Sequence, residues 1–383
     1  MCPAADIVVA GHICLDIIPT FPAAVDNAGR AVFVPGGMTQ MLPAVTATGG
    51  VVSNTGLACH RLGVPTRLMG KVGDDVLGQA TLDILRREAP ELADGMVVAE
   101  GVSSSYSVVL GPPGLDRCFL HYPGPNETYC ADDIDYDSLA GSRLFHFGYP
   151  TIMATVRRNN GAELRRMFEA AKAQGLTTSL DMSTPDPDSD AGQTDWQALL
   201  TNVLPAVDLF IPSLPETLFM LDRERFNKLS TTLGSPEITS LADGALLHGV
   251  ADQLLGMGVA VVGLKLGDQG IYVRTTPDAQ RIAAAGHGLS GAGDDWLGRE
   301  VLAPCFEVEV VGTTGAGDTT IAGFLAGLAH GLSLDAALAA ATGTGAFCVE
   351  QADAVSGIPS WEVLQQRISA GWPRREITLS MAH

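Results

Sequence analysis

The chain has 383 residues, enough for one large α/β domain or two ordinary domains, and 46% of them are hydrophobic, which allows a substantial core. Its 23 Lys and Arg residues against 43 Asp and Glu residues give a formal net charge of −20. Such a surface repels nucleic acid and anionic membranes, so neither is expected as a partner. The negative charge does not exclude an anionic small-molecule ligand, because a helix terminus or a single cationic side chain can bind it locally.

Seven cysteines are scattered along the chain and never form a Cys-x-x-Cys pair. This pattern favours reduced thiols over a disulfide framework or a zinc site. The chain opens without a basic and apolar leader, and Gly and Pro interrupt its long uncharged stretches. The sequence therefore predicts a cytoplasmic protein with neither a signal peptide nor a membrane span.

Apolar periodicity predicts strands that alternate with helices, starting from a strand at 7–10. The further elements, in chain order, are helix 54–62, strand 66–72, helix 76–88, strand 144–147, helix 162–174, strand 177–182, strand 207–211, helix 242–257 and strand 260–266. This alternation is typical of a parallel sheet covered by helices on both faces. The turn at 11–16 lacks the Gly-x-Gly-x-x-Gly of a dinucleotide-binding unit.

Four regions depart from that alternation. Residues 17–48 and 102–125 are extended and rich in Gly and Pro, and they predict a small antiparallel sheet over a ligand site. Residues 222–243 are polar and are interpreted as an insertion. The tail after Trp372 has no periodicity and is expected to be mobile.

A glycine pair precedes the first predicted helix. Gly49 and Gly50 come before residues 54–62, and Asn54 lies in the first turn of that helix. Paired glycines let a substrate approach the backbone, where Asn54 can hydrogen-bond hydroxyl groups; the alternative is a flexible turn before an ordinary N-cap. Asp16 is either a turn residue or a carboxylate that binds two vicinal sugar hydroxyls. Its place after a strand favours the second interpretation, because strand ends face the ligand crevice of open α/β sheets.

Later turns carry further candidate residues. Asp74 and Asp75 are interpreted as helix caps. After strand 207–211, Glu216 is either a helix-start residue or a carboxylate that holds hydrated Mg²⁺, an ion that keeps several waters and takes few protein ligands. In the turn after the following strand, Gly267 is able to lie flat under a nucleotide.

The segment from 306 to 331 predicts a strand, a glycine turn and a helix. Apolar residues alternate with glutamates over 306–310, as in a half-buried strand. Gly315 and Gly317 allow a positive φ and close approach, and an apolar helical pattern then extends to Gly331, the predicted C-cap. The first N–H groups of such a helix attract an anion. Asp318 is therefore either a general base beside a phosphoryl group or a simple helix-capping residue.

Together these segments resemble the ribokinase-like (PfkB) family of carbohydrate and nucleoside kinases. The resemblance covers nearly the whole chain, and it rests on Asp16, Gly-Gly-x-x-x-Asn at 49–54, Gly-x-Val-Gly-Asp-Asp at 70–75, Pro-x-x-x-Glu at 212–216, Lys-Leu-Gly-Asp-Gln-Gly at 265–270, Thr-Gly-Ala-Gly-Asp at 314–318 and Ala-Asp-Ala-Val-Ser-Gly at 352–357. It implies a single domain over 1–383, a three-layer α/β/α fold with a central, mostly parallel sheet. A small β lid is formed by about 17–48 and 102–125.

The resemblance also implies ATP-dependent phosphorylation of a sugar hydroxyl with Mg²⁺. Asp318 matches the family's catalytic base, and the N–H groups of Gly315, Ala316 and Gly317 match its anion hole. By the same resemblance, closure of the lid excludes water that would hydrolyse ATP. The remaining matches are Asp16, Gly49, Gly50 and Asn54 for the substrate, Ser213, Gly267, Gly270 and Thr314 for the nucleotide, and Glu216, through water, for the metal.

The sequence departs from the family's pattern at three places. Gly312 stands where Asp is usual, at a position tied to a monovalent-cation site, which puts potassium activation in doubt. Ser213 stands where Asn is usual, and this weakens the assignment of the metal motif. A second Gly-Ala-Gly-Asp, at 291–294, follows no apolar strand. It is interpreted as an extended loop near the nucleotide site that only mimics the motif.

Two other functions stay open. One is a nucleoside kinase, because nucleosides also present vicinal hydroxyls. The other is a non-catalytic sugar-binding protein on the same fold, which Gly312 and Ser213 favour slightly and the intact Asp318 opposes. Exposed edges of the lid sheet invite pairing with a second copy, so the lid offers a route to a homodimer.

Overall fold

A computed structural model describes residues 5–22, 35–112, 117–233, 238–239 and 242–379. Its strands are β1 (Ile7–Gly11), β2 (Cys14–Thr20), β3 (Leu42–Gly49), β4 (Thr66–Gly73), β5 (Met96–Ala99), β6 (Tyr106–Leu110), β7 (Cys118–Tyr122), β8 (Leu144–Gly148), β9 (Thr177–Asp181), β10 (Leu209–Phe210), β11 (Val261–Lys265), β12 (Ile271–Thr275) and β13 (Glu300–Ala303). Its α-helices are α1 (Val51–Arg61), α2 (Val76–Glu88), α3 (Ala154–Ala173), α4 (Trp196–Val203), α5 (Leu214–Leu221), α6 (Arg223–Leu233), α7 (Gly244–Gly256), α8 (Ala279–Ala283), α9 (Ala316–Ala329), α10 (Leu334–Val349) and α11 (Trp361–Ser369). None of the helices described is long and apolar enough to cross a membrane.

Nine strands form one sheet in the order β13-β12-β11-β10-β9-β8-β1-β4-β5. The strands from β11 to β5 run parallel, and β12 and β13 add an antiparallel edge. A parallel sheet is stable only when both faces are covered. In β1, Val8 and Ala10 pack into one buried cluster and Ile7 and Val9 into the other, because successive side chains of a strand point to opposite faces.

Helices complete the outer layers. Side chains of α3, α4, α5 and α7 build the first cluster, and those of α1, α2, α9 and α10 build the second. The protein therefore has the predicted three-layer α/β/α architecture with a central, mostly parallel sheet.

A second sheet of four strands has the order β3-β2-β6-β7. Its strands fall in or beside the two segments predicted to form a lid, of which residues 23–34 and 113–116 lie outside the described part of the chain. Strand β2 pairs antiparallel with β3 and parallel with β6, and β6 pairs antiparallel with β7. The edge strand β7 is exposed along its whole length.

Helix α3 begins before the predicted start at residue 162 and is interrupted. Its backbone leaves the helical conformation from Arg158 to Gly161, with φ of 52° at Asn159 and 53° at Asn160. Asn and Gly tolerate a positive φ better than other residues, so the chain can turn there. The apolar periodicity identified only the part of α3 that follows this turn.

The prediction of a strand at 306–310 is wrong. Phe306 forms an isolated bridge with Arg374, and Val310 is exposed. The Phe306 ring instead stacks on Trp372, with centroids 4.4 Å apart. Apolar alternation in this segment thus arises from packing against a ring cluster and not from pairing in a sheet.

The same contacts correct the expectation of a mobile tail. Trp372 Nε1 donates to the carbonyl of Glu307 at 2.9 Å, and the N–H of Arg375 donates to the carbonyl of Cys305 at 2.9 Å. These bonds hold the described part of the tail against the segment before α9. At the other end of α9, Gly331 adopts a φ of 70° just after the cap residue His330, in agreement with the predicted C-terminal signal.

Candidate active site

The carboxyl ends of parallel strands converge on the N-terminus of α9. Tyr149 directly follows β8, Asp181 ends β9, Lys265 ends β11, and Asp318 lies in the first turn of α9. Ligands of open α/β sheets bind at this edge, because every parallel strand delivers its carboxyl end there. The fold therefore brings together side chains that are far apart in the sequence.

Asp318 is the most constrained of these side chains, with 3% of its surface exposed. Its carboxylate accepts a hydrogen bond from Asn54 Nδ2 at 2.9 Å. The Tyr149 hydroxyl lies 2.9 Å and 2.8 Å from its two oxygens. Burial raises the pKa of Asp318 above its usual value, against the opposing effects of Lys265 and of the two donors. The carboxylate is thus oriented and more basic than an exposed aspartate.

Tyr149 has no signal in the sequence. It adopts a left-handed backbone conformation with φ of 65°, which is uncommon for a residue with a bulky side chain. The preceding Gly148 lies so close to Val51 of α1 that an added Cβ would be 2.5 Å from a methyl group of that valine. This close approach of β8 and α1 places the Tyr149 hydroxyl within reach of Asp318.

The predicted substrate residues Asp16, Gly49, Gly50 and Asn54, called the acceptor group below, surround the start of α1. A Cβ added to Gly49 would lie 2.4 Å from Asp16 Oδ2, and Gly50 has a φ of 88°. Asp16 lies within β2 and is not the turn residue considered as its alternative. Burial raises the pKa of Asp16, while hydrogen bonds from Cys14 and Ser107 oppose the rise.

The glycine turn before α9 is tightly packed. Gly315 has a φ of 74°, and a Cβ added there would lie 2.3 Å from Ala354 Cβ, so only glycine fits. The N–H of Ala316 donates to the carbonyl of Thr313 at 3.3 Å. A Cβ added to Gly317 would be 3.5 Å from Lys265 Nζ, an ordinary contact distance. The positive end of the α9 dipole thus lies beside an ammonium group.

Lys265 forms a buried ion pair with Asp181, with Nζ donating to Oδ1 at 2.6 Å. Burial opposes its charge, but the carboxylates of Asp181, Glu216 and Asp318 together outweigh burial and raise the pKa of Lys265, so the ammonium stays charged. The other oxygen of Asp181 is buried, and it has no hydrogen-bond partner among the described residues. Sequence reasoning assigned no role to Lys265; its place at the end of a predicted strand is the signal that could have found it.

A cavity of about 420 Å³ opens beside Asp318. Its lining combines polar groups, among them Lys265, Glu216 and the turn at Gly315, with apolar side chains such as those of Phe306 and Val349. A pocket of this size, mostly apolar with a few polar groups, is typical of small-molecule sites. Asp318 lines the cavity and accepts a hydrogen bond from Asn54, so it connects the cavity to the residues of the acceptor group.

Three of the four predicted nucleotide residues line this cavity: Ser213, Gly267 and Gly270. Thr314 does not line the cavity, and its carbonyl accepts a hydrogen bond from the buried Cys348 thiol at 3.3 Å. Glu216 also lines the cavity. It forms a capping box with Ser213, its Oε2 accepting from the Ser213 N–H at 2.7 Å. Glu216 is therefore a helix-start residue that also faces the cavity.

Comparison with known proteins agrees with this architecture. Residues 4–361 match the model of the pfkB family of carbohydrate kinases. The chain belongs to this family. It is thus a carbohydrate kinase, a phosphotransferase with an alcohol acceptor, in a family whose members use ATP.

Similar proteins include an uncharacterized sugar kinase of Archaeoglobus fulgidus, 27% identical over 303 residues that cover 79% of this chain and 98% of that protein. Fructokinase-2 of Oryza sativa subsp. japonica is 24% identical, with 95% of this chain and 94% of that protein covered. The structure of Arabidopsis thaliana ribokinase with ribose and ATP superposes with a TM-score of 0.69 at 17% identity, covering 95% of this chain and 98% of that chain.

In this kinase the second Gly-Ala-Gly-Asp, at 291–294, lies at the opposite edge of the sheet. The N–H of Gly288 in the same loop donates to Thr177, which begins β9, whereas Asp181 at the site ends that strand. Because β12 runs antiparallel, the loop after it returns to the amino edge. The expectation that this segment lies near the nucleotide site is therefore wrong.

Proposed function

We propose that Asp318 is the general base of this sugar kinase. The proposal rests on the position of the Asp318 carboxylate, which accepts a hydrogen bond from Asn54 and also faces the cavity. A sugar hydroxyl held by the acceptor group transfers its proton to Asp318, and its oxygen forms a bond to the γ-phosphorus of ATP. The bond from that phosphorus to the leaving oxygen breaks, and ADP departs.

The turn at Gly315, Ala316 and Gly317 is proposed to hold the transferred phosphoryl group. Its N–H groups lie at the positive end of α9, and the Lys265 ammonium beside Gly317 adds a full positive charge. Ala316 N–H has a long bond to Thr313, which an incoming phosphoryl oxygen can replace. Ser213, Gly267 and Gly270 are proposed to bind the nucleotide. Thr314, which is also predicted from the sequence, would act through its neighbours.

Mg²⁺ fits the carboxylates on the cavity wall. Glu216 lines the cavity, and one buried oxygen of Asp181 has no partner among the described residues. We propose that these two residues hold the ion through water. When bound there, Mg²⁺ would supply positive charge to offset that of the phosphates. Gly312 has no side chain, and a Cβ added there would lie 2.9 Å from the carbonyl of Gln351. The position therefore supplies no carboxylate to a monovalent cation, which keeps potassium activation in doubt.

The four-stranded sheet is proposed to be the lid, formed by about 17–48 and 102–125 within one domain. It carries Asp16, so its movement would couple sugar binding to exclusion of water. Its edge strands expose large apolar side chains: Leu42 and Val45 on β3, and Phe119, Leu120 and Tyr122 on β7. This exposure supports a homodimer through the lid. Light scattering of the purified kinase would show a dimer, and a monomer at every concentration would contradict this proposal.

The test is ATP consumption over a panel of free sugars, with fructose and ribose first because of the relatives' names, and of nucleosides. We expect Mg²⁺-dependent turnover on a sugar and its loss in Asp318→Asn. Turnover on nucleosides alone would replace the sugar with a nucleoside acceptor. Sugar binding without turnover on any substrate would favour the non-catalytic alternative, and activity retained in Asp318→Asn would overturn the base assignment.

A further inference from the structure

Three side chains that commonly bind metals meet where the four-stranded sheet adjoins the end of β1. His12 follows β1, Cys14 begins β2 and His121 lies in β7, and one ligand atom from each lies within 4.8 Å of those of the other two. We propose that His12, Cys14 and His121 form a site for a thiophilic divalent metal ion such as Zn²⁺. This site is separate from the Mg²⁺ of the nucleotide cavity.

The distance between the two imidazoles fits such an ion. His12 Nε2 and His121 Nε2 are 3.3 Å apart. Two nitrogen ligands of a tetrahedral zinc ion, each about 2.0–2.1 Å from the metal, are separated by about 3.3–3.4 Å. Without a metal, two facing ring nitrogens share at most one proton. Coordination of one ion uses the lone pairs of both.

The polar surroundings already orient two of the ligands. His121 Nδ1 lies 3.0 Å from Ser107 Oγ, so that a proton on Nδ1 leaves the Nε2 lone pair directed at His12. The same hydroxyl lies 3.6 Å from Cys14 Sγ. Metal-binding imidazoles are usually held in this way by a hydrogen bond from the second ring nitrogen. The pairing of β6 with β7, which places Ser107 opposite His121, fixes the arrangement in the backbone.

The ligand chemistry selects the ion. Thiolate and imidazole ligands favour zinc and similar transition metals, whereas Mg²⁺ prefers oxygen. On binding, Cys14 loses its thiol proton to solvent and gives up its hydrogen bond to Asp16 Oδ1, which is 3.3 Å long. Three protein ligands leave a fourth position for water. The ligands are up to 109 residues apart, so they lack the close spacing by which a sequence usually reveals a zinc site.

The ion would join β7 to the end of β1 beside Asp16. We therefore infer that bound zinc hinders the sugar and raises its apparent KM. This second statement rests on the proposed function, because it assumes that Asp16 belongs to the acceptor group. The binding statement does not depend on any activity.

Binding is tested by titrating tag-free, metal-free kinase with Co²⁺ and recording the absorption spectrum. We expect one equivalent to give a thiolate-to-cobalt charge-transfer band that Zn²⁺ removes. Cys14→Ser should abolish the band, and Cys118→Ser, an exposed cysteine on β7, should retain it. Absence of the band in the unmodified kinase, or its survival in Cys14→Ser, would overturn the site.

A milder variant protects the test against misfolding. Ser107→Ala removes the hydroxyl that orients His121, and we expect it to weaken Co²⁺ affinity by about 10–100-fold with the band retained. Unchanged affinity would contradict the proposed orientation. For the second statement, Zn²⁺ should raise the sugar KM of the unmodified kinase and of Cys118→Ser, but not that of His121→Gln. A cobalt band without an effect on KM would keep the metal site and reject the inhibition.

Discussion

The tetrapeptide Gly-Ala-Gly-Asp occurs twice in this kinase, and its two copies have different surroundings. At 315–318 it opens a helix of 14 residues at the carboxyl edge of the sheet, and its aspartate is buried. At 291–294 it precedes a single 3₁₀ turn at the amino edge, and Asp294 is exposed. The tetrapeptide alone therefore does not identify a candidate catalytic site. What makes one copy a candidate site is the helix terminus, Lys265 and the partners of Asp318.

The largest expected effect separates the two aspartates. Asp318→Asn should lower kcat by about 10²–10⁴-fold with little change in either KM, because the acceptor hydroxyl loses its base while binding is retained. Asp294→Asn should stay within about twofold of the unmodified enzyme, since an exposed side chain far from the cavity contributes little. Steady-state kinetics on the two variants measure this difference. Comparable losses in both would show that the contrast between the copies is misread.

The next effect concerns the Lys265 ammonium beside the copy at 315–318. Lys265→Met should lower kcat by about 10²–10³-fold, as expected for loss of an electrostatic group at the transferred phosphoryl. The substitution also leaves the buried Asp181 without its partner, which by itself is destabilising. The double variant Lys265→Met with Asp181→Asn removes the unpaired charge, and it is assayed at saturating Mg²⁺ because Asp181 is also proposed to hold the metal ion. If the double variant recovers full activity, Lys265 serves only to neutralise Asp181.

A smaller effect compares glycines that tolerate a side chain. A Cβ fits at Gly317, with Lys265 Nζ at 3.5 Å, and nothing lies within 4 Å of one at Gly293. Gly317→Ala should leave the thermal midpoint unchanged or slightly higher, because alanine favours helix, yet lower kcat/KM for ATP by roughly tenfold as the methyl displaces the phosphoryl group. Gly293→Ala should change neither quantity. Unaltered kinetics of Gly317→Ala would remove the turn from phosphate binding.

The sequence predicted the three-layer α/β/α architecture well, because most of its strands and helices are long enough to show their periodicity. It also predicted which of the two tetrapeptides precedes a long helix. It failed at 306–310, where apolar alternation reflects stacking of Phe306 on Trp372. Tyr149 could not be found, since its role depends on how closely β8 approaches α1. The cluster of His12 and His121 was equally hidden, because strand pairing in the second sheet brings distant residues together.

The smallest effect is on stability, and its sign follows from the pKa of Asp318. Burial raises that pKa above its unfolded value, so the stabilisation from the protonated form is complete below the unfolded pKa and is lost as the pH rises through the folded pKa. At neutral pH the folded kinase thus bears the cost of a buried carboxylate. Asp318→Asn removes the charge and should raise the thermal midpoint at pH 7 by about 1–3 °C, with a smaller difference in acid. Calorimetry at both pH values, with Asp294→Asn as the reference, decides the matter. A lower midpoint for Asp318→Asn at pH 7 would mean that the bonds from Asn54 and Tyr149 outweigh the cost of burial.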